Sequence, residues 1–283
     1  HLRTRRQRQM CIRDSCFGSG YLTNIGLITS LVGKGDLVIA DKLIHASLID
    51  GINLSKAKLY RYSHNNHLDC QKKLIKHRQN FNQCIIITET VFSMDGDRAP
   101  LLQLMDIAQR FNAILISDDA HGLGIIDNDD QISHIKIGTL SKAVGSYGGY
   151  ICSDQHMINY ITNRARSLIY STALPPAILA ASIKSLEIME ENPKLTAKAV
   201  ENAKLFCRLL NFDEPKSCIV PIIVKEEDRA IFLSKKLLEA GFLVSAIRPP
   251  SVPKGTARLR CTFSALHNER DISKLAETIK RYI

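Results

Sequence analysis

The sequence predicts an α/β fold: a large domain on a mostly parallel, doubly wound sheet, followed by a smaller C-terminal α/β domain. Three observations carry this. From residue 16 onward, short apolar runs alternate with amphipathic stretches in the order strand, loop, helix. Runs such as 83–88 and 113–116 are apolar and rich in isoleucine, as strands covered on both faces are. Chemically able residues follow those runs rather than interrupt them, and ligands of parallel sheets collect beyond the carboxyl ends of the strands.

The elements follow in order. Gly18-Ser19-Gly20-Tyr21 opens a helix with Ile25, Ile28, Leu31 and Val32 on one face, stopped at Gly33-Lys34-Gly35. Its first backbone N–H groups, at Gly20 and Tyr21, suit a phosphate; the same pattern also serves as an ordinary cap. Residues 37–40 form a strand, and His45-Ala46-Ser47 enters the next helix, with His45 facing a cleft or capping the helix. Residues 58–62 form a strand, and a helix runs to about 78. After strand 83–88, the loop to residue 100 is rich in functional groups, Ser93 among them. Helix 101–111 precedes strand 113–116, which ends in Asp118-Asp119-Ala120-His121. A short apolar run at 135–137 leads into Thr139 and Lys142, and another starts at Tyr150. Farther on, helices are expected at 177–191, up to 210, at 229–240 and 269–283, and strands at 217–224, 243–247 and 258–263. The large domain is expected to span residues 16–190 and the smaller one 191–283.

Residues 1–15 show neither period and are expected to lie outside the fold, as an adaptor, fusion scar or misread start. They carry five arginines and one aspartate, which supply +4 of a net charge of +10. The remaining lysines lie on helix faces, so the charge reads as solvated surface and not as a nucleic-acid site. No apolar run is long enough to cross a membrane and no signal peptide is visible. The eight cysteines form no CxxC pair and read as reduced thiols of a cytoplasmic protein. No metal site is expected.

Lys142 stands in a run of small residues, Ser141-Lys142-Ala143 with Gly145, Gly148 and Gly149 after it. Such a lysine either holds pyridoxal phosphate (PLP) as a Schiff base or sits exposed in a glycine-rich turn; this segment alone favours neither. The upstream residues decide for the cofactor. Asp118 would keep the pyridine nitrogen protonated. His45 or His121 would cover the ring. Gly20, Tyr21, Thr139 and Ser171 or Thr172, the last two from a neighbouring subunit, would hold the phosphate. Each has an ordinary structural reading; the set converging on one sheet edge does not.

Ser19-Gly20-Tyr21, His45-Ala46-Ser47, Phe92-Ser93-Met94-Asp95-Gly96-Asp97, Asp118-Asp119-Ala120-His121 and Thr139-Leu140-Ser141-Lys142 together resemble the α-oxoamine synthases. These are fold-type-I PLP-dependent transferases with the aspartate-aminotransferase fold. Residues 170–176 and 246–253 resemble the biotin-pathway branch. The resemblance implies that His45 stacks on the ring, that Ser93 and His121 contact PLP, that Thr139 binds phosphate, and that Arg260 pairs with an amino-acid carboxylate. Ser251 stands where the family commonly has threonine and keeps a hydroxyl for substrate. Lys142, His45, Asp118 and His121 are the catalytic set so implied. The implied reaction is a decarboxylative condensation of L-alanine with pimeloyl-CoA or a pimeloyl carrier protein, in a homodimer. Glycine with acetyl-CoA is the alternative within the family, and an inactive or non-catalytic PLP-fold protein the alternative outside it. The family's N-terminal portion has no counterpart in residues 1–15, so the chain reads as a fragment.

Overall fold

The computed structural model describes residues 12–125 and 132–282. The chain forms two compact units, one running to Val91 and from Ala99 to Ile188, the other comprising Phe92–Arg98 and the chain from Met189 on.

The first unit is built on a seven-stranded sheet. In chain order its elements are β1 (Ile12–Phe17), α1 (Gly20–Leu31), β2 (Leu37–Asp41), α2 (Ala46–Ser55), β3 (Lys58–Tyr62) and α3 (His67–His77). Then come β4 (Cys84–Glu89), α4 (Leu101–Arg110), β5 (Ile114–Asp118), β6 (Ile135–Thr139), β7 (Gly149–Asp154), α5 (Gln155–Thr162), α6 (Arg166–Ile169) and α7 (Pro176–Glu191). The strand order is β1-β7-β6-β5-β4-β2-β3. Strands β3, β2, β4, β5 and β6 are parallel, while β7 runs antiparallel to both β6 and β1.

Both faces of this sheet are covered, which explains the unbroken apolar runs. Alternate residues of β2 separate onto its two sides. Val38 and Ala40 join a core with Leu27 and Ile28 of α1 and Leu48 and Ile52 of α2. Leu37 and Ile39 join another with Leu74 of α3 and Leu104 and Ile107 of α4.

The register aligns the ends of β4 and β5 and carries β6 two residues farther. Glu89 of β4 pairs with Asp118 of β5, and Asp118 with Ile137 of β6. Asp118 and Thr139 therefore finish neighbouring parallel strands at one edge of the sheet.

Several expectations change. Ile12–Ser15, expected outside the fold, belong to the edge strand β1, which pairs from Ile12↔Asp154 to Phe17↔Gly149. A strand joined along one side by backbone bonds needs no apolar run, so its period was invisible. Residues 1–11 of that segment lie outside the described residues. Helices α5 and α6 were not anticipated; Asp154 caps α5 by accepting from Met157 N at 2.9 Å. The last expected helix residue, 283, also lies outside the described residues.

In the second unit an antiparallel sheet has the order β8-β10-β9 (Ile219–Lys225, Ala257–Thr262, Ser245–Ile247). Helices α8 (Pro193–Leu210), α9 (Glu227–Glu239) and α10 (Glu269–Lys280) accompany it. Phe206, Val220, Leu233, Leu259, Cys261 and Ile272 form its core. The loop 92–98, placed by sequence order in the large domain, packs with this unit instead. Among the described residues no helix is long and apolar enough to cross a membrane.

Candidate active site

The first unit collects most of the expected residues at the carboxyl edge of its sheet. Asp118 ends β5 and is 5% exposed. Both its oxygens accept bonds: Oδ2 from Asn24 Nδ2 at 3.0 Å, Oδ1 from the Ala120 N–H at 3.0 Å. Asn24, fixed on α1, also donates to Ser47 Oγ at 2.8 Å. Ser47 Oγ lies 2.7 Å from His45 Nδ1, and the Ser47 N–H donates to the same nitrogen at 3.2 Å. Because Nδ1 accepts from the Ser47 N–H, this network assigns the ring proton to Nε2 of the exposed His45. His45 is thus both the cap of α2 and the outer end of a buried polar chain that starts at Asp118. Asn24 and Ser47 were not anticipated, because each is one of several polar residues on its helix and nothing local marks it.

Beside this chain lies the N-terminus of α1. Ser19 caps α1, its Oγ accepting from Leu22 N at 3.2 Å. The N–H groups of Gly20 and Tyr21 stand at the positive end of this twelve-residue helix, where helical bonding leaves them over. The Tyr21 hydroxyl itself is engaged with Asp50 Oδ2 at 2.6 Å, a bond that raises its pKa. Thr139 ends β6, with its hydroxyl 2.8 Å from Ser141 Oγ and 3.0 Å from the Gly148 carbonyl it donates to. These pieces meet closely, and at Gly149 only glycine fits. A Cβ on Gly20 would come 3.3 Å from Thr139 Cβ, and one on Gly149 only 2.8 Å from the Gly20 nitrogen. Ser171 approaches from the same chain, its Oγ 3.9 Å from where a Gly18 Cβ would stand, and Thr172 next to it is exposed.

Lys142 follows β6 in a tight loop. Gly145 N donates to the Lys142 carbonyl at 3.0 Å, Ser146 N to Leu140 O at 2.8 Å, and Leu140 N to Gly148 O at 3.0 Å. Gly145 (φ 66°) and Gly148 (φ 120°) take backbone conformations that other residues resist. Since β5 and β6 are adjacent and parallel, Asp118 and Lys142 leave the sheet at the same edge. His121, half-buried, lies in the turn closed by Gly122 N to Asp119 O at 3.0 Å.

Next to Asp118 stands a carboxyl the sequence did not single out as chemically unusual. Asp119 is 0% exposed; its Oδ1 accepts from Thr90 Oγ1 at 2.6 Å, and its Oδ2 has no partner among the described residues. Burial pushes its pKa up to about 6, against the opposing effects of the Thr90 bond and the Lys136 charge; the Asp118 charge adds to the rise. The native state therefore holds this proton more tightly than the unfolded chain does between pH about 4 and about 6. In that window stability falls as pH rises, by about 3 kcal/mol for a shift of this size. Asp119→Asn is expected to remove this slope from denaturant unfolding measured across the window; an unchanged slope in the variant would contradict the assignment.

Ser93, Ser251 and Arg260 belong to the second unit. The Arg260 guanidinium donates through Nε to the Ser93 carbonyl at 2.5 Å and through Nη1 to Thr262 Oγ1 at 2.9 Å. Burial lowers its pKa, yet an arginine keeps its charge at any physiological pH. Ser251 is exposed, in a turn closed by its N–H to Arg248 O at 3.0 Å.

A parallel sheet with a buried aspartate, a lysine loop and a helix N-terminus along one edge defines a class. The chain belongs to the aminotransferase class I and II family, whose profile matches residues 10–279. Its fold is that of the fold-type-I PLP transferases. More particularly, it is 46% identical over 263 residues to the 8-amino-7-oxononanoate synthase of Methylobacterium radiotolerans, covering 93% of this chain and 70% of that relative. The solved 8-amino-7-oxononanoate synthase from Francisella tularensis is 32% identical with a TM-score of 0.82, covering 95% of this chain and 82% of that one. A high-resolution structure of SPT with PLP is 28% identical with a TM-score of 0.90, covering 95% and 72%. The family resemblance carried by the sequence motifs is borne out by these relatives.

Proposed function

We propose that the chain is a PLP-dependent α-oxoamine synthase that condenses L-alanine with a pimeloyl thioester to 8-amino-7-oxononanoate, releasing the thiol and CO₂. The observation that carries the reading is the shared carboxyl edge of β5 and β6. There a doubly bonded Asp118, a lysine loop and a glycine-lined helix N-terminus lie together. Relatives named 8-amino-7-oxononanoate synthase support the substrate assignment.

The residues present fit PLP. Gly20, Tyr21 and Thr139 offer N–H and hydroxyl donors to its phosphate, joined by Thr172 of a second copy of the chain. Gly149 lets β7 pack against the Gly20 backbone, where a Cβ would come within 2.8 Å of the Gly20 nitrogen, and so keeps the start of α1 beside the end of β6. Asp118 is buried, carries a charge-accepting pair of oxygens and suits a protonated pyridine nitrogen. Lys142 would hold the cofactor covalently, His45 would stack on its ring, and Ser93 and His121 would contact it. When bound, PLP supplies an electron sink for charge developing at the substrate's Cα.

The chain's own groups do the rest. Arg260 takes the alanine carboxylate in a charge-assisted pair and so orients the Cα–H bond. The Lys142 amine, once displaced by alanine, removes the Cα proton as general base. His45, with its proton on Nε2, donates to the thioester oxygen as negative charge grows there. The Ser251 hydroxyl contacts substrate.

Self-association as a homodimer accompanies this reading. On α7, Ile183 is 59% exposed and Leu186 and Ile188 40%, while Tyr170 before it is 74% exposed. So much apolar surface on one segment favours a second copy as its cover. Free thiols at Cys70, Cys84, Cys207 and Cys261, all raised in pKa by burial, suit a reducing cytoplasm.

Thiol release from the holoenzyme tests the substrates. L-Alanine with pimeloyl-CoA is expected to exceed glycine with acetyl-CoA in kcat/KM by roughly tenfold or more, the discrimination a site gains from filled apolar contacts. The reverse preference would assign the chain to the glycine-using branch.

A further inference from the structure

The proposed reaction uses one of the two arginines of β10. The other, Arg258, is the more deeply placed, with 5% of its side chain exposed. A guanidinium cannot shed its charge, so burial requires acceptors for its donors. Arg258 Nη1 meets Asp95 Oδ1 at 2.5 Å and the Met94 carbonyl at 3.2 Å, and its Nε meets the Thr256 carbonyl at 3.1 Å. Asp95 and Met94 both belong to the loop 92–98.

Residues two apart on a strand face the same way, so Arg258 and Arg260 stand on one face of β10. Arg260 reaches the same loop at the Ser93 carbonyl. The rest of the loop is pinned to the start of β8. Ser217 Oγ donates to Gly96 O at 2.7 Å, and Arg98 Nε donates to Lys216 O at 2.7 Å. Gly96, at φ 70°, lies so close that a Cβ would come 2.3 Å from the Ile219 carbonyl oxygen. Within the loop, Phe92 N donates to Asp97 O at 3.0 Å and Gly96 N to Phe92 O at 2.8 Å, and the two arginines add side-chain bonds to the Ser93 and Met94 carbonyls and to Asp95.

Charge matters as well. Two guanidiniums on one strand face repel. Asp95 neutralises the buried one and leaves the charge of Arg260 for an anion, while Nε and Nη1 of Arg260 are held by Ser93 and Thr262.

We infer that Arg258 is a positioning residue: with Asp95 it clamps the loop 92–98 onto β10, fixing Ser93 and the Arg260 guanidinium in the arrangement that receives the amino-acid carboxylate. This rests on the proposed role of Arg260. Arg258 touches no substrate; it acts through Arg260 and the loop.

The test uses holoenzyme of wild type, Asp95→Asn, Arg258→Lys and Arg260→Ala, with L-alanine as the probe. Asp95→Asn changes a side chain that is 31% exposed and keeps its shape, so it guards against a variant that does not fold. Hydrogen exchange at the Phe92 and Gly96 amides is expected to speed up in Asp95→Asn and Arg258→Lys, with the amides of β4 unchanged. L-Alanine dissociation and KM should rise roughly tenfold in both variants, with kcat altered far less, as loss of a charge-assisted clamp predicts. Unchanged alanine binding in both, alongside weakened binding in Arg260→Ala, would overturn the clamp alone. Unchanged loop exchange would overturn it too. Unchanged binding in Arg260→Ala would instead remove the role of Arg260, and the clamp's function with it.

Discussion

Lys142→Ala is expected to abolish the visible absorbance of lysine-bound cofactor and to lower kcat by about 10²–10⁴-fold or more, the range removed with a general base, since the covalent attachment goes as well. The backbone around it is fixed by Leu140, Gly145, Ser146 and Gly148, and the lysine side chain is exposed. Loss of the side chain should therefore leave folding stability within about 0.5 kcal/mol, as for ordinary surface substitutions. Activity and fold are thus separable at this position. Lys142→Arg is expected to fail equally, because a guanidinium does not give up its proton to become a nucleophile or base. Spectra with added PLP, steady-state rates and denaturant unfolding check the three statements. Identical spectra for wild type and Lys142→Ala would remove Lys142 from the chemistry.

Asp118→Asn should damage both chemistry and stability. The two carboxylate oxygens each accept, one from Asn24 Nδ2 and one from Ala120 N. An amide has one acceptor, so in either orientation a donor faces a donor. With the site 5% exposed, that mismatch costs about 1–3 kcal/mol. The substituted group also loses the negative charge that would hold a proton on the pyridine nitrogen, for which kcat should fall by about 10²–10³-fold. Unfolding of the cofactor-free protein measures the first effect and turnover the second. A variant that unfolds earlier yet turns over within about threefold of wild type would leave Asp118 as structure only.

What was legible in the sequence follows from where the physics is local. Strands β2, β4 and β5 are apolar on both faces because helices cover both faces, and such runs announce themselves. The placement of Asp118, Thr139 and Lys142 at one sheet edge was legible because the first two end apolar runs and the third follows one, and parallel sheets expose those ends. The edge strand β1 was not, since its place depends on backbone pairing with β7, which any residue can supply. Nor were Asn24 and Ser47. Each is one of several polar residues on its helix, and only the fold shows that both join Asp118 to His45. The loop 92–98 showed its functional groups in the sequence but not its partners, because Arg258 and Arg260 lie more than 160 positions farther along the chain. Asp119 looked like one more residue of a turn; its burial beneath Thr90 is a tertiary fact.

The central claim is that the groups at the sheet edge hold a pyridoxal ring through one particular lysine. Borohydride reduction of the protein after incubation with PLP, followed by peptide mapping, tests it most directly. A reduced pyridoxyl phosphate is expected on the peptide that contains Lys142, and none when Asp118 is replaced by leucine. Labelling of another lysine, or no labelling of the wild-type chain, would contradict it.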